Sequence, residues 1–349
     1  MLKSLISKLA CPACKPAAAP LIAQVFEEAA GGHIRDGILV CSACRAWYPV
    51  QDELLELVTT ALMDHEDLAA FVQTFRNQLI ACGVEPAKAG GAELPENHFD
   101  AQMKQRHHFD KYAEGDEPGF KDYTLTPFIR AASERAYSVW RQRLKPSRSW
   151  MLDVGCGTAN SSLAFAADHT VIGFDISKKM IRRDIDAARS LGFTDTTFFV
   201  GDGAHPPLKE QSFDYVHTVG ALHHLPDPAR TIKEIQRILV PGGMHFASEN
   251  NRSMFRGIFD LLMKIHPLWL EEAGAEPTMS RKMFDDWCRT LPVTITSQTS
   301  IFLPPHLVNL FSVDVAERLV SWSDRFFSRL PVMRSHGGIL FVTITKLPA

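Results

Sequence analysis

The chain has 349 residues, a length that fits two or three domains better than one. Hydrophobic residues make up 46% of it, which is enough to bury a sizeable core. The 37 basic and 40 acidic side chains leave a net charge of −3, so no overall field attracts nucleic acid or an anionic membrane. The N-terminal apolar stretch is broken by Lys3 and Lys8, and no run is long enough to span a bilayer, which predicts a cytoplasmic protein without a membrane span.

Residues 1–60 contain two C-x-x-C pairs, formed by Cys11 with Cys14 and by Cys41 with Cys44. In a reducing compartment this pattern indicates a metal site before disulfides. Four thiolates can hold zinc tetrahedrally, and such a site has no open position for chemistry. We therefore expect a structural Zn²⁺ that supplies folding energy to a small region. An unmetallated remnant or a redox pair stays open as an alternative.

The sequence around these cysteines continues into an aromatic-Pro segment, Trp47-Tyr48-Pro49-Val50. In these residues the region resembles the Trm112-like zinc-ribbon domain, which often stands in front of, or in complex with, a methyltransferase. Residues 1–60 carry five basic and six acidic side chains, whereas ribbons that bind nucleic acid are usually basic. The closed four-thiolate site thus gives this domain a structural role. Because the domain is not basic, we expect no nucleic-acid partner.

Residues 61–125 are predicted to form a helical linker and lid. An apolar-periodic stretch, Leu62 to Ile80, predicts a helix, and a Gly/Pro/Ala-rich break follows it. From Thr126 onward helical and strand-like patterns alternate, which is typical of an α/β fold. The predicted strands are Trp150–Val154, Val171–Phe174, Thr197–Val200, Phe213–Val219 and Met244–Ser248. The predicted helices are Pro127–Leu144, Ser161–Ala167, Lys178–Ser190 and Pro228–Val240.

After residue 250 the pattern predicts two more helices and two late strands that close the sheet as an antiparallel edge. The helices are Met254–Leu270 and Leu307–Arg329, and the strands are Val293–Ile301 and Ile339–Lys346. We assign residues 126–349 to one domain, with an insertion at about 250–292 that shapes a pocket for an acceptor molecule.

The most informative run, Asp153-Val-Gly155-Cys156-Gly157-Thr-Ala159, stands directly between a predicted strand and a predicted helix. Glycines there allow a tight turn and a close approach of backbone to a ligand. A dinucleotide fingerprint would place a third glycine at position 160, where Asn160 stands. An acid at position 153 repels a pyrophosphate but can pair with a ligand ammonium group. The turn is therefore better suited to the cationic methionine portion of S-adenosylmethionine.

Two further acids end the next two predicted strands. Asp175 can grip both hydroxyls of a ribose, and Asp202 can accept a hydrogen bond from an exocyclic adenine amine. Together with Asp153 they would line one crevice at the carboxyl ends of three consecutive strands.

Two later segments, Gly220-Ala-Leu-His223-His224-Leu and Leu239-Val-Pro-Gly-Gly243, complete a set that runs in order over about residues 128–250. In these segments the chain resembles the class I S-adenosylmethionine-dependent methyltransferases of the type 11-like group, with Ala159 in place of the usual glycine. The resemblance implies a Rossmann-like, seven-stranded α/β sheet behind a small N-terminal zinc ribbon and a helical lid. The expected cofactor-binding residues are Asp153, Gly155, Cys156, Gly157, Asp175, Ile176, Asp202, Gly203, Ala204, Gly220, Phe109 and Tyr112.

Three residues are candidates for chemistry on the acceptor. His223 or His224 could act as a base, because histidine titrates near working pH, and Glu249 ends the fifth strand on the acceptor side. Alternatively, the histidines only shape the pocket wall. Phe109 and Tyr112 lie where this family places a lid, with a cation–π contact to the sulfonium as one role.

The leading function is methylation of a small molecule, such as a natural product, sugar or lipid-linked intermediate, with oxygen favoured over nitrogen or carbon as the methylated atom. RNA or protein methylation with the ribbon as a docking module, and a non-catalytic scaffold, are the alternatives. A homodimer stays open as an arrangement of the chain.

Overall fold

The computed structural model describes residues 1–14, 19–91, 96–115, 125–145, 147–268 and 277–348. Within this part of the chain, 11 strands form a single mixed sheet in the order β1-β2-β3-β4-β7-β6-β5-β8-β9-β11-β10. The strands are β1 (Leu21–Ala29), β2 (His33–Cys41), β3 (Trp47–Gln51), β4 (Leu54–Glu56), β5 (Trp150–Val154), β6 (Thr170–Asp175), β7 (Thr196–Val200), β8 (Phe213–Val219), β9 (Leu239–Asn250), β10 (Val293–Ser300) and β11 (Ile339–Lys346).

Strands β5 to β11 form the seven-stranded sheet that the sequence predicts. Five of them pair in parallel, and β11 lies antiparallel between β9 and β10. The expected antiparallel closure by the two late strands is thereby confirmed. Parallel strands bury both faces, so their helices cover both sides of the sheet.

The N-terminal ribbon does not stand apart from this sheet. Strand β4 pairs in parallel with β7, with Leu55 opposite Phe199 and Glu56 opposite Val200. The sheet is therefore larger than the expected seven strands, because β1 to β4 extend it at the β7 edge. Covering that edge removes the unpaired backbone groups that an exposed strand would present.

Buried side chains of the ribbon and of the α/β part belong to one hydrophobic core, which includes Leu39, Trp47, Leu55, Phe174 and Phe199. Ion pairs surround the joint: Lys178 contacts both Glu56 and Asp67, and Arg189 Nη2 lies 2.9 Å from Glu53 Oε1. A core of this kind couples the folding of the two parts.

The helices are α1 (His65–Thr74), α2 (Arg76–Ala81), α3 (Glu96–Glu114), α4 (Pro127–Arg141), α5 (Asn160–Leu163), α6 (Lys178–Ser190), α7 (Pro228–Ile238), α8 (Arg256–Ile265), α9 (Arg281–Trp287), α10 (Pro305–Val308) and α11 (Val313–Phe327). Their starts follow the expected caps. Thr126 accepts from the Ile129 amide ahead of Pro127, and Ser177 accepts from the Met180 amide. Among the described residues, none of the helices combines the length and apolar character needed to cross a bilayer.

Several predicted boundaries are wrong. The helix expected over residues 62–80 is two helices that meet at Phe75, and α5 ends four residues before the expected Ala167. The helix expected over 307–329 is split into α10 and α11. The Asn309 side chain between them accepts a hydrogen bond from the Phe128 amide at 2.8 Å. Hydrophobic periodicity is local and cannot report a turn that is held by so distant a contact.

Candidate active site

The turn after β5 presents bare backbone to a cavity. Gly155 and Gly157 have φ angles of 70° and 53°, in the left-handed region that favours glycine. A Cβ on Gly155 would lie 2.9 Å from the Ala221 Cβ, whereas a Cβ on Gly157 would meet no heavy atom within 4 Å. Gly157 thus leaves room for a ligand to approach its backbone. Ala159 also has a left-handed φ of 51°, a conformation that costs an alanine about 1–2 kcal/mol.

The cavity has a volume of about 1160 Å³ and lies at the carboxyl ends of β5, β6, β7, β8 and β9. Ligands of α/β sheets bind at this position. Ten of the twelve expected cofactor-binding residues line it: Gly155, Cys156, Gly157, Asp175, Ile176, Asp202, Gly203, Gly220, Phe109 and Tyr112. Ala204 and Asp153 do not.

Asp153 is fully buried behind the glycine turn. Its Oδ2 accepts hydrogen bonds from Ser161 Oγ at 2.6 Å and Ser162 Oγ at 2.7 Å, and it lies 2.9 Å from His217 Nε2. Burial alone would raise the pKa of Asp153, but His217 and the two hydroxyls lower it below the ordinary value. The carboxylate therefore faces α5 and His217 and does not line the cavity, whereas the sequence predicted a direct contact with a ligand ammonium group.

Asp175 does reach the cavity. Its carboxylate accepts from the Gly157 amide at 3.1 Å and from the Ser177 amide at 2.9 Å. Burial raises the pKa of Asp175 to about 6, in spite of these two backbone donors. The same carboxylate therefore fixes the glycine turn and faces the space beside it.

Asp202 is held by its own loop. Its Oδ1 accepts from the Ala204 amide at 2.9 Å, and its Oδ2 lies 2.7 Å from His205 Nδ1. Ala204 thus contributes its backbone to the loop and has its side chain buried away from the cavity. Sequence reasoning missed His205, and its spacing of three residues from Asp202 is the only local signal for the contact.

The three candidates for chemistry meet at one wall of the cavity. Glu249 is buried at the end of β9, where its Oε1 accepts from the Leu222 amide at 2.9 Å and its Oε2 lies 2.7 Å from His223 Nδ1. His224 packs on His223, with ring centroids 4.1 Å apart. Burial, followed by the nearby His223 and His108, lowers the pKa of His224 to about 3. His224 is therefore neutral, and a weak base, at working pH.

Helix α3 covers this wall as the expected lid. The Phe109 ring meets His224 edge-on at 5.6 Å, and Asp110 accepts from Ser177 Oγ at 2.6 Å. Since the Ser177 amide also donates to Asp175, the lid is linked to the β6–α6 turn. Sequence reasoning missed Asp110 and Ser177, because their contact spans 67 residues.

Beyond the histidines the cavity is mostly apolar. Helix α8, the segment after β10 and the end of α11 provide this part of the wall, with Phe255, Phe259, Leu262, Phe302, Phe327 and Met333 among the lining residues. Pockets of this kind bind apolar molecules and orient them with a few polar groups. The volume lies above the range of about 300–1,000 Å³ that is typical of small-molecule pockets.

The cysteine pairs come together at the far end of the ribbon. Their four sulfur atoms lie within 4.8 Å of one another, with 3.7 Å between Cys11 and Cys44 and 3.7 Å between Cys14 and Cys41. Zinc–sulfur bonds of about 2.3 Å in a tetrahedron place the sulfurs about 3.8 Å apart, whereas a disulfide needs about 2.05 Å. The donor set and its spacing fit a tetrahedral metal.

Comparison with known families agrees with this architecture. Residues 152–247 match a family model described as a methyltransferase domain, and residues 3–53 match the model of Trm112p-like proteins.

Two curated relatives share part of the chain. This chain is 33% identical over 140 residues to the demethylmenaquinone methyltransferase of Staphylococcus saprophyticus, and the match covers 37% of this chain and 59% of the relative. It is 30% identical over 146 residues to the 27-O-demethylrifamycin SV methyltransferase of Amycolatopsis mediterranei, covering 36% of this chain and 54% of the relative. The chain spans little more than half the length of these relatives.

Among solved structures, a chain from the complex of the Haloferax volcanii Trm112 methyltransferase activator with a methyltransferase has a TM-score of 0.47 at 22% identity. The match covers 69% of this chain and 98% of that chain. Two separate segments of the chain therefore match known families, the first that of Trm112p-like proteins and the second that of a methyltransferase domain.

Proposed function

We propose that this chain is an S-adenosylmethionine-dependent methyltransferase that methylates a hydroxyl group of an apolar small molecule. The observation that carries the proposal is the His223–Glu249 pair, which lines the same cavity as the glycine turn and the apolar wall. The two curated relatives, whose names describe methyl transfer to small molecules, support the substrate class.

The residues present fit the cofactor. Gly157 offers open backbone, the Asp175 carboxylate would accept from ribose hydroxyls, and Asp202, which also lines the cavity, would accept from the adenine amine. When bound, S-adenosylmethionine supplies a methyl group on a positively charged sulfur. The aromatic ring of Phe109, on the lid, provides a face for that positive charge.

The chain's own contribution to the reaction is alignment and proton removal. Glu249 Oε2 accepts from His223 Nδ1–H, which favours the tautomer that carries its lone pair on Nε2. His223 Nε2 would take the proton of the acceptor hydroxyl, while S-adenosylmethionine, when bound, would supply the methyl group to that oxygen and leave as the neutral thioether. His224, whose pKa is lowered to about 3, packs against this base and Phe109 and does not take the proton.

Methyl transfer from labelled S-adenosylmethionine to a panel of apolar phenols and hydroquinones tests the proposal. General-base assistance contributes about 10²–10⁴-fold, so His223→Ala should lower turnover by that factor while calorimetry shows nearly unchanged cofactor affinity. Glu249→Gln should fall between the wild type and His223→Ala, and His224→Ala controls for packing damage. Full turnover in His223→Ala would contradict the base, and absence of cofactor binding by the wild type would contradict the function.

We also propose that Cys11, Cys14, Cys41 and Cys44 hold a structural Zn²⁺. The tetrahedral spacing of the sulfurs supports this proposal, as does the match to the Trm112p-like family. A site of four thiolates has no open position, so the metal stabilises the ribbon and takes no part in the transfer. The ribbon as a docking module for RNA or protein gains no support from the described residues.

A further inference from the structure

The outward faces of α8 and α11 are apolar although nothing in the described part of the chain covers them. On α8, Ile258, Leu261 and Ile265 are spaced by three and four residues on one stripe and are 57–74% exposed. On α11, Trp322 and Phe326 stack at 5.9 Å and are 57% and 51% exposed. Isolated exposed apolar residues are ordinary, but clusters on two helices that both contribute to the lining of one cavity mark an interaction site.

Helix α8 is apolar on two neighbouring stripes. Phe255, Phe259 and Leu262 line the cavity, while Leu261 and Ile265 point away from it into solvent. Phe255 and Ile258 are exposed and also line the cavity, so the apolar surface runs without a break into its mouth. A helix that is apolar on most of its circumference, and yet uncovered on one side, meets an apolar medium there.

Helix α11 borders the same mouth from the other side. The Phe327 ring lines the cavity and contacts Phe302 at 5.4 Å, while its neighbour Phe326 is turned outward. His306 on α10 connects the two sides, because its Nε2 lies 2.8 Å from the carbonyl oxygen of His266, just past α8. We call the exposed apolar residues of these three helices the apolar rim: Ile258, Leu261 and Ile265 of α8, Leu307 of α10, and Val315, Trp322 and Phe326 of α11.

The unpaired charges around the rim are mostly basic. Six exposed basic residues lie on or beside these helices, namely Arg252, Lys264, Arg318, Arg325, Arg329 and Arg334. None of the six forms an ion pair within the described residues. Among the acids of the same segments, Asp260 pairs with Arg256 and Asp324 with Arg135, whereas the exposed Asp314 and the half-buried Glu317 form no ion pair with the described residues. This excess stands out in a chain of net charge −3.

On α11, Arg318, Trp322 and Phe326 follow at intervals of four and so share one face of the helix, and Arg329 lies in the turn just past it. Apolar side chains with interleaved Lys and Arg are the surface chemistry of helices that lie in the interface of an anionic bilayer. The apolar body enters the acyl boundary while the long basic side chains reach the headgroups.

We propose that the apolar rim docks this enzyme on the surface of an anionic lipid bilayer, with the mouth of the cavity facing the lipid. An apolar acceptor would then enter from the membrane without crossing water. Docking on a membrane goes beyond the proposed function. Only the entry of the acceptor from the membrane rests on the proposed function.

Sedimentation of the full-length protein with lipid vesicles tests the proposal without any methyl transfer. We expect binding to vesicles that contain one third phosphatidylglycerol, and binding at least about tenfold weaker to pure phosphatidylcholine, because each basic residue near the surface adds about 1 kcal/mol. Leu261→Ser with Ile265→Ser should weaken binding to both by about tenfold or more. Arg325→Gln with Arg329→Gln should weaken binding to the anionic vesicles only.

The matched control is Ile80→Ser with Leu191→Ser, two exposed apolar residues away from the rim, and this variant should bind like the wild type. Equal loss in the control variant, or no vesicle binding by the wild type, overturns the proposal. A dimer that forms through the rim also overturns the proposal. In that case the wild type does not bind vesicles, and light scattering shows that the dimer mass is lost in the Leu261→Ser, Ile265→Ser variant. Calorimetry with S-adenosylmethionine in the absence of lipid separates failure of docking from failure of the proposed function.

Discussion

Cofactor affinity should depend on pH through Asp175. Its carboxylate lies at the cavity beside the glycine turn, and burial raises its pKa to about 6 from an ordinary value near 3.8. The pKa is raised, so the free protein holds a proton on Asp175 below about pH 6 and releases it above. Ribose hydroxyls donate best to the ionised carboxylate. Affinity is therefore expected to be full at pH 7–8 and to fall as the pH drops through 6.

The size of the effect follows from the ionised fraction. If the cofactor binds only the ionised form, the Kd rises about twofold at pH 6 and about tenfold at pH 5 relative to pH 7. Isothermal titration calorimetry with S-adenosylmethionine between pH 5 and pH 8 measures this directly, in several buffers to correct for proton uptake.

The matched control is Asp175→Asn, which keeps the size of the side chain and cannot ionise. It should bind more weakly at pH 7, by the loss of a charge-assisted contact of about 1.5–3 kcal/mol, and show a flat profile between pH 5 and pH 8. A wild-type Kd that stays constant from pH 5 to pH 8 would refute the reasoning. The same slope in the Asn variant would assign the pH dependence to another group.

Stability measurements can test both the metal site and the pairing of the ribbon with the α/β part of the sheet. Cys41→Ser with Cys44→Ser should remove about one zinc per chain by elemental analysis and lower the Tm of the whole chain in a single transition; Cys82→Ser, outside the cluster, should change neither. Retained metal would contradict the assignment. Leu55→Ala should cost about 2–5 kcal/mol of unfolding free energy in urea, because Leu55 is buried where β4 meets β7. Exposed Leu191→Ala should cost less than about 0.5 kcal/mol, and equal costs in the two variants would argue against a shared core.

Local patterns were sufficient for much of the site. Gly155 and Gly157, with a strand before them and a helix after them, specify a turn that only glycine accommodates readily, and Asp175 and Asp202 follow the ends of the next strands. Parallel strands place their carboxyl ends at one edge, so residues far apart in sequence could be assigned to one crevice. The spacing of the two cysteine pairs likewise predicted a cluster that the sulfur positions show.

Other features depend on contacts that no local pattern encodes. Asp153 stands at a motif position where an acid is expected to face a ligand. It is instead held inside the core by two serines of α5 and by His217 on β8, which lies 64 positions later in the sequence. Likewise, His223 and His224 are adjacent in sequence, and only packing distinguishes them: Glu249 on β9 orients one, whereas burial lowers the pKa of the other to about 3.

The sequence by itself determined the α/β class, the order of the strands along the chain, the cofactor turn and the cysteine cluster, because each of these is written in residues that are close together or regularly spaced. Only the tertiary structure decided that β4 of the ribbon pairs with β7, and that α8 and α11 leave an apolar rim beside the cavity. Strand pairing and surface exposure both depend on which distant segments cover a given face. Side-chain periodicity shows that a face is apolar, but it does not show what lies against it.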